Sequence, residues 1–458
     1  MPTSASRREF IKTTGKFAAA SALAGVALPG AYAAGSDEIQ IVLIGCGGRG
    51  GGAAANALSV RRGPVKLVAM ADIFPDRLRK DLTALQTRFP SQVDVPPERQ
   101  FIGFDAYQKA MDCLKPGDIA IFTTPPAFRW VHFSYAIQKG LNVFMEKPLS
   151  ADGPASKRML TLAQESQAKN LKVGVGLMSR HNRAMQELAN RVHDGQIGDI
   201  LLQRGYRMHG LGGYFCSLPK PAGITDLLYQ VQRFHSFIWA SGGCFNDFYI
   251  HLIDQLGWMK NQWPVKAQAL GGREYRNSPE GIPYVDQNFD TYSVEYTYSD
   301  GTKFYFDGRT MPGCTHIYSS YLHGTRGSGI VSKAGDCGQP SSLYASQDLT
   351  SQLLWESTVK PEEQDPYQNE WNDLVDAVRD DKPYNEVQRG VEASLVSSMG
   401  RMAAHTGREM TFEQMLNCDF EMSPNTDKFT MDSPAPLLAD ADGRYPVPQP
   451  GIVTSREY

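Results

Sequence analysis

Short apolar runs recur through the first third of the chain and are separated by segments with helical spacing. The runs cover residues 39–44, 65–71, 118–124 and 141–145 and show little alternation of polar and apolar positions. This pattern is typical of strands that are buried on both faces of a parallel sheet. Residues 128–139 have helical spacing and end at Gly140, a residue type favoured just after a helix. The pattern predicts strands and helices that alternate around one parallel sheet.

Farther along the chain the spacing changes to alternation. Tyr292, Val294, Tyr296 and Tyr298 alternate with polar residues, and apolar residues return after a turn signal at 299–301. This predicts a hairpin whose aromatic face packs in the sheet or against another subunit. A further strand is predicted at 200–206, and helices are predicted at 367–378 and 385–405.

Two domains of different class follow from these patterns, and the length of the chain suits that number. Residues 36–154 are predicted to form an α/β domain with a parallel sheet. Residues 155–415 are predicted to form an α+β domain with a large, mostly antiparallel open sheet. Pro, Asp and Gly dominate residues 416–458, which are predicted to form an extended tail on the surface or around a neighbour.

The first 33 residues have the pattern of a removable export signal of the twin-arginine type. Arg7 and Arg8 precede a small-residue apolar stretch at 17–28, and residues 31–33 read Ala-Tyr-Ala. The apolar stretch is too short for a good membrane span. Because this route exports folded proteins, the sequence predicts a periplasmic protein that retains a cofactor inserted in the cytoplasm.

Net charge and cysteine content narrow the classes of protein to which the chain can belong. The net charge is −3, and removal of residues 1–33, which carry four basic residues and one acidic residue, makes it more negative. No basic surface for nucleic acid is indicated. The seven cysteines include no C-x-x-C pair, and their odd number argues against a disulfide framework.

The first apolar run is followed by glycines with the spacing G-x-G-x-x-G. Gly45 permits a tight turn, Gly47 lets the backbone approach a pyrophosphate, and Gly50 allows close packing of helix against strand. Gly48 and Arg49 stand at the helix start, where free N–H groups favour phosphate binding. The segment therefore predicts a dinucleotide site.

Asp72 ends the second run, about 20 residues beyond the glycines, where such a fold places the acid that binds the ribose 2′-hydroxyl. A carboxylate there repels a 2′-phosphate. The cofactor is therefore predicted to be NAD, while the nearby Arg77 and Arg79 leave NADP possible.

An ordered set of motifs resembles the glucose-fructose oxidoreductase and inositol dehydrogenase family (Gfo/Idh/MocA). The set comprises the glycines, Thr-Pro-Pro at 124–126, Glu-Lys-Pro at 146–148, residues 173–180, the G-G-x-x-x-D-x-x-x-H-x-x-D pattern at 242–254, and residues 382–386 with 400–401. The resemblance covers about residues 39–415. It implies a Rossmann domain followed by a sheet domain, an NAD(P)-dependent oxidoreductase, and a homodimer or homotetramer.

The resemblance also implies the roles of several residues. Lys147 aligns with the family's catalytic lysine, and we expect it to stabilise negative charge on a substrate oxygen. His251 is expected to accept the hydroxyl proton, and Asp247, one helical turn earlier, is expected to orient its ring. The predicted cofactor contacts are Gly45, Gly47, Gly48, Arg49, Gly50, Asp72, Thr124, Pro125, Glu146 and Lys147.

Polyol recognition is expected from polar and aromatic residues of the second domain, several of them in the irregular stretch before residue 247. The candidates that we expect to face a carbohydrate, besides Asp247 and His251, are Arg180, Tyr206, His209, Arg233 and Trp239. The histidines from position 181 to 405 are scattered, and no metal site is predicted.

Three functions stay open at this point. The first is transfer of a hydride between a sugar, polyol or glycoside carbon and NAD(P). The second is a glycosidase that oxidises C3 transiently, eliminates the aglycone, adds water and reduces again with no net redox change. The third is a non-catalytic sugar or NAD-binding protein, which the joint presence of Lys147 and His251 disfavours.

Overall fold

The N-terminal part of the computed structural model is a parallel sheet flanked by helices. The structure describes residues 37–274 and 277–458, so the predicted export signal at 1–33 lies outside the described residues. Within the described part, six strands pair in the order β3-β2-β1-β4-β5-β6. The strands are β1 Ile39–Ile44, β2 Val65–Asp72, β3 Gln100–Ile102, β4 Ile119–Phe122, β5 Asn142–Met145 and β6 Val173–Val175. The helices are α1 Gly48–Leu58, α2 Pro75–Arg88, α3 Ala106–Met111, α4 Arg129–Lys139 and α5 Gly153–Ala168.

Burial explains why these strands show no alternation. All residues of β4 and β5 are buried, as are five of the six in β1. Helices cover both faces of a parallel sheet, so apolar residues are needed on both. Helix α4 ends at Gly140, which adopts a left-handed conformation with φ 68°. The predicted strands and this helix are therefore confirmed.

The parallel sheet continues past the predicted boundary at residue 154. That position falls in the first turn of α5, and β6 pairs in parallel with β5 beyond it. Strand β6 is only three residues long, too short for its apolar pattern to be assigned to one domain from sequence. The segment at 173–180, assigned to the second domain from sequence, thus begins in the first sheet.

The second sheet is large and open, as predicted. Within the described residues, nine strands pair in the order β14-β13-β12-β11-β7-β10-β9-β8-β15. All neighbours are antiparallel except β7 and β10, which are parallel. The strands are β7 Ile200–His209, β8 Lys266–Gly272, β9 Thr291–Thr297, β10 Lys303–Thr310, β11 Ile317–Gly324, β12 Ser328–Ser332, β13 Ser342–Tyr344, β14 Leu353–Glu356 and β15 Met410–Thr411. The helices are α6 Arg183–His193, α7 Asp226–Gln232, α8 Ile238–Ser241, α9 Gly243–Lys260, α10 Pro366–Arg379, α11 Val387–Thr406 and α12 Phe412–Leu416.

Helix α9 links the second sheet to the cavity described below. It packs against α11 and β7 and is buried along nearly its whole length. The predicted hairpin is formed by β9 and β10, and the buried Tyr292, Val294 and Tyr296 face this layer. The aromatic face therefore packs within the chain.

Residues 417–458 pack against the rest of the chain through several buried side chains, where the sequence predicts an extended tail on the surface or around a neighbour. The ring of Tyr445 packs 4.9 Å from that of Phe237. The carboxylate of Glu457 is buried and lies 2.8 Å from Nε of Arg401 and 2.9 Å from Nδ1 of His405, both on α11. The segment has little regular structure because contacts distant in sequence, rather than local periodicity, hold it in place.

Two further features concern the described residues alone. No helix there is long and apolar enough to cross a bilayer. All seven cysteines lie among these residues, and each is a free thiol.

Candidate active site

A cavity of about 650 Å³ opens at the carboxyl edge of the parallel sheet. Ligands bind at this edge in open α/β sheets, since the loops between strands and helices leave a crevice there. The first sheet contributes the glycine loop, Asp72, residues 123–126, Glu146 and Lys147. Helix α9 contributes Asp247 and His251 from the opposite side. All the predicted cofactor contacts and the three predicted catalytic residues thus line one cavity.

The glycine loop has the geometry needed for a close approach of phosphates. Gly45 has φ 94°, and a Cβ there would lie 2.7 Å from the backbone N of Thr124. A Cβ on Gly50 would lie 2.3 Å from the carbonyl oxygen of Gly45. Around Gly47 and Gly48, by contrast, no atom of the described residues lies within 4 Å of where a Cβ would be. The loop is closed on the protein side and open on the cavity side, which fits a dinucleotide.

Two carboxylates hold the backbone around this loop. Asp72 accepts hydrogen bonds from the N–H groups of Cys46 at 2.6 Å and Phe74 at 2.7 Å. Asp81 accepts one from the N–H of Gly47 at 2.6 Å. Burial raises the pKa of both carboxyl groups, and these backbone hydrogen bonds oppose the rise. Asp81 lies inside a helix, so its sequence position gave no sign of this contact.

The two arginines near Asp72 differ in position. Arg77 lines the cavity, but its guanidinium lies over the ring of Phe74 and donates to the carbonyl of Gln232 at 3.1 Å. Arg79 is exposed and pairs with Asp76. Asp72 therefore stays the charged group best placed to select between a ribose hydroxyl and a phosphate.

Arg49 is drawn to the sheet edge by acidic residues. Its Nε lies 2.5 Å from Oε1 of Glu146, and its guanidinium lies 4.7 Å from the ring centre of Tyr367. Glu370 lies behind this pair, with its Oε1 3.6 Å from Nη2 of Arg49. Burial and the Glu146 carboxylate raise the pKa of Glu370 well above its ordinary value. Burial at this point therefore favours the neutral form of Glu370.

Lys147 and Asp247 meet where the two sheets approach each other. The Nζ of Lys147 donates to the carbonyl oxygen of Asp247 at 2.5 Å and lies 3.6 Å from its Oδ1. The other carboxylate oxygen lies 3.1 Å from Nε2 of His235. Burial alone would raise the pKa of Asp247, but the ammonium of Lys147 and the ring of His235 bring it well below its usual range. Asp247 is thus a fixed anion.

His251 is a buried, neutral imidazole. Burial lowers its pKa to about 4, with Lys147 and Arg207 adding to the effect and Asp336 opposing it. Its Nε2 lies 3.7 Å from Oδ2 of Asp336, and its Nδ1 has no hydrogen-bond partner among the described residues. The ring can therefore accept a proton. The carboxylate of Asp247 faces Lys147 and His235 and not the ring of His251, but its negative charge still interacts favourably with a protonated His251.

None of the five other predicted substrate residues, all within the described chain, lines the cavity. Arg180 forms two hydrogen bonds to Asp254, at 2.9 and 2.7 Å. Arg233 donates to Ser217 at 2.8 Å, and Trp239 is fully buried. His209 stacks behind Phe248, and Tyr206 packs against Tyr321 on the other face of the sheet. Each side chain is held by structural contacts instead.

Other polar and aromatic residues line the cavity near Lys147 and His251. Arg207 lies between the rings of Phe248 and Tyr318, at 4.5 and 4.4 Å from their centres, and reaches the cavity. It is the strand neighbour of Tyr206, and adjacent residues of a strand point to opposite faces. The choice of Tyr206 was therefore wrong by one residue. The further lining residues of this end are Tyr214, Phe234, His235, Asp336 and Tyr367.

The opposite end of the cavity has an aromatic wall that sequence reasoning missed. The rings of Tyr107 and His132 are tilted against each other with centres 4.5 Å apart, and Nδ1 of His132 lies 3.2 Å from the hydroxyl of Thr124. Burial lowers the pKa of His132 to about 3, so this ring is neutral too. Phe429, from the C-terminal segment, completes the wall beside Phe104. A wall rich in aromatic rings suits a planar ring system.

No metal centre accompanies these groups: the described residues contain no cluster of three His, Cys, Asp or Glu side chains arranged to hold a metal ion.

A parallel sheet with this glycine loop, an acid after β2 and a second open sheet beside the crevice is the architecture of a two-domain, dinucleotide-binding fold. Residues 39–177 match the oxidoreductase family with an NAD-binding Rossmann fold, GFO_IDH_MocA. The match covers the parallel-sheet part of the chain and agrees with the resemblance noted in the sequence.

Known proteins of that kind are similar to the chain. An inositol 2-dehydrogenase from Corynebacterium glutamicum is 27% identical over 142 residues, which are 31% of this chain and 40% of that protein. The match thus spans less than half of this curated relative. Myo-inositol 2-dehydrogenase from Lactobacillus plantarum aligns in structure with a TM-score of 0.60 and 22% identity, covering 82% of this chain and 99% of that one.

A further solved structure is scyllo-inositol dehydrogenase from Lactobacillus casei with bound NAD(H) and scyllo-inositol. It aligns with a TM-score of 0.58 and 19% identity, over 82% of this chain and 99% of that one. At these identities the structural matches establish the fold.

Proposed function

We propose that the protein is an exported, NAD-dependent oxidoreductase acting on a hydroxyl carbon of a sugar, polyol or glycoside. The observation that carries the proposal is the meeting of a neutral buried imidazole, His251, and an ammonium, Lys147, in the cavity that the glycine loop lines. The similarity to inositol dehydrogenases supports a polyhydroxylated substrate. The two positive and two negative side chains at this end suit a neutral one.

The residues that line the cavity have different roles in the proposed reaction. NAD, held by Gly47, Gly48 and Asp72, supplies the hydride acceptor when bound. His251 accepts the proton of the reacting hydroxyl, because it is neutral and buried. Lys147 places an ammonium beside the same oxygen and stabilises the negative charge that develops there. Asp247 fixes Lys147 through its carbonyl and carboxylate oxygens.

Export with a retained cofactor is part of the proposal. The twin-arginine pattern at 1–33 supports export of a folded protein to the periplasm. Phe429 supports retention, since the C-terminal segment adds a wall to the cavity. Assembly into a dimer or tetramer stays a prediction.

The test is product stoichiometry. Purified protein is incubated with a panel of polyols, sugars and glycosides, and keto-product and reduced dinucleotide are quantified. A dehydrogenase gives both in equal amounts. His251→Ala and Lys147→Ala should each reduce turnover by about 100-fold or more. His316→Ala, which removes an exposed imidazole outside the cavity, should leave turnover unchanged. Near-normal turnover of both cavity variants would contradict the assigned roles.

One observation favours the glycosidase as a second candidate. The cavity holds two imidazole–carboxylate pairs, His235 with Asp247 and His251 with Asp336. Oxidation of one hydroxyl needs a single base, whereas elimination of an aglycone also needs a base for the neighbouring C–H proton. Release of free aglycone without net reduction of the dinucleotide would select this function. Binding of sugar with neither product would indicate a sensor.

A further inference from the structure

The loop between β12 and β13 brings a carboxylate to His251 from outside the helix that carries the histidine. Oδ2 of Asp336 lies 3.7 Å from Nε2 of His251, and Oδ1 lies 4.0 Å from a guanidinium nitrogen of Arg207. Both Asp336 and His251 line the cavity. The carboxylate therefore faces the imidazole that we assign as the base.

The backbone at Asp336 is fixed by buried side chains. Its carbonyl oxygen accepts hydrogen bonds from the hydroxyl of Ser179 at 2.9 Å and from Nε2 of Gln255 at 2.5 Å. Asn182 donates to the next carbonyl, that of Cys337, at 3.3 Å. Hydrogen bonds from three side chains to a loop of this length limit the positions that the Asp336 side chain can reach.

Helix α9 positions both partners of the contact between His251 and Asp336. Gln255 lies four residues after His251, so the two side chains project from the same face of the helix. One of them holds the backbone of Asp336 while the other faces its carboxylate. The relative position of imidazole and carboxylate is thus set by one rigid element.

The other charged groups around His251 do not replace Asp336. Lys147 and Arg207 disfavour a positive ring, and Glu146 is already paired with Arg49. Asp247 directs its carboxylate to Lys147 and His235. Asp336 is accordingly the carboxylate whose oxygen directly faces the His251 ring.

We propose that Asp336 is a positioning residue for His251: it orients the imidazole and stabilises the imidazolium that forms when the ring takes up a proton. This role rests on the proposed function for the source of that proton. The O–H bond of the reacting hydroxyl breaks, an N–H bond forms on His251, and the ring gains one positive charge. The Asp336 side chain is 19% exposed and that of His251 is 7% exposed, so the carboxylate also offers the proton a way to water.

The test uses Asp336→Asn, which removes the charge and keeps the shape. The pKa of His251 is measured by NMR of ¹⁵N-labelled histidine rings, with His251→Gln to assign the signal. Loss of an opposite charge at this distance should lower that pKa by about one unit. In the pH profile of kcat/KM, the limb that falls in acid near pH 4 should move to lower pH, because the ring stays neutral longer. We expect kcat on the plateau to fall about tenfold.

Two controls separate this role from general damage. Asp336→Glu should restore part of the shift, and Asp348→Asn, in an exposed loop of the same sheet, should change neither quantity. An unchanged His251 pKa and an unchanged acid limb in Asp336→Asn would overturn the inference. Because the ring titration needs no turnover, it still decides the contact if the wild type reduces no dinucleotide, a result that would count against the proposed function alone.

Discussion

At the scale of single residues, the environment shifts the pKa values of the acidic side chains around the cavity in opposite directions. Asp247 stays charged because Lys147 and His235 offset its burial, whereas Glu370 is buried beside Glu146 with too little compensation. The environment therefore favours the charged form of a carboxyl group at one point and the neutral form at another. His251 and His132 are neutral for the same reason, burial without a close carboxylate hydrogen bond.

A pair of substitutions tests this difference. Because burial favours the neutral form of Glu370, Glu370→Gln, which keeps the shape of the side chain without its charge, should barely change the thermal midpoint at pH 7. Glu146→Gln removes the anion 2.5 Å from Arg49 and should lower the free energy of unfolding by about 2–3 kcal/mol. Thermal unfolding of both variants beside the wild type measures the contrast. An equal loss in the two variants would show that Glu370 is ionised.

At the scale of elements, periodicity predicted what local sequence encodes. The strands of the parallel sheet, α4 and the β9–β10 hairpin have apolar patterns that only one arrangement can bury. The positions of the carboxyl edge of the sheet and of the glycine loop could be predicted from those strands. Lys147 lies in the cavity because its motif follows the end of β5, and His251 lies there because the middle of α9 borders the same cavity.

Features set by register and by distant contacts could not be predicted in this way. The choice between Tyr206 and Arg207 depends on which face of β7 is covered, and no residue in that strand marks the face. Asp336 is placed by Ser179 and Gln255, which are far from it in sequence. The motif around Arg180 predicts a substrate ligand, but its guanidinium is hydrogen-bonded to Asp254 and does not reach the cavity.

The contact between the C-terminal segment and α11 is also an element-scale feature, and it allows a stability prediction. Arg401 is fully buried and bonded to Glu457 at 2.8 and 2.9 Å. Glu457→Gln leaves that guanidinium without its counter-charge and should cost about 3 kcal/mol or more in urea unfolding at pH 7. Glu409→Gln, which breaks an exposed pair with Lys266, should cost less than about 1 kcal/mol.

The pH dependence of that cost has a defined sign. Burial alone would raise the pKa of Glu457, but Arg401 lowers it to about 2, below the ordinary 4.5. A carboxyl group with a depressed pKa in the folded state stabilises fully above its ordinary pKa and loses this contribution as pH falls. The difference between wild type and Glu457→Gln should therefore shrink from about pH 4.5 towards pH 2. A difference that stays constant over this range would contradict the ion pair.

At the scale of the whole molecule, three parts of the chain enclose one cavity: the parallel sheet, the open sheet with α9, and the C-terminal segment. The first contributes the glycine loop and Lys147, and the second contributes Asp247 and His251. The third adds Thr426, Asp427 and Phe429 at the aromatic end. We therefore predict that retention of a cofactor depends on this third segment.

Removal of one ring from that segment tests the dependence. Phe429→Ala takes away edge contacts to Phe104, Phe128 and Trp239, and it should speed dinucleotide release about tenfold. The measurement is the amount of dinucleotide that stays with the protein during timed dialysis. Phe420→Ala removes a ring from the same segment outside the cavity and should not change it. Equal retention by both variants would exclude a role for the Phe429 wall.

The position of Phe429 and Glu457 late in the chain has a consequence for biosynthesis. The glycine loop and Asp72 leave the ribosome long before these two residues do, and N-terminal parts of a chain generally fold first. During that interval the crevice lacks its last wall. A nucleotide that enters while translation continues would be enclosed when the final stretch docks, so loading and closure would be ordered by the direction of synthesis.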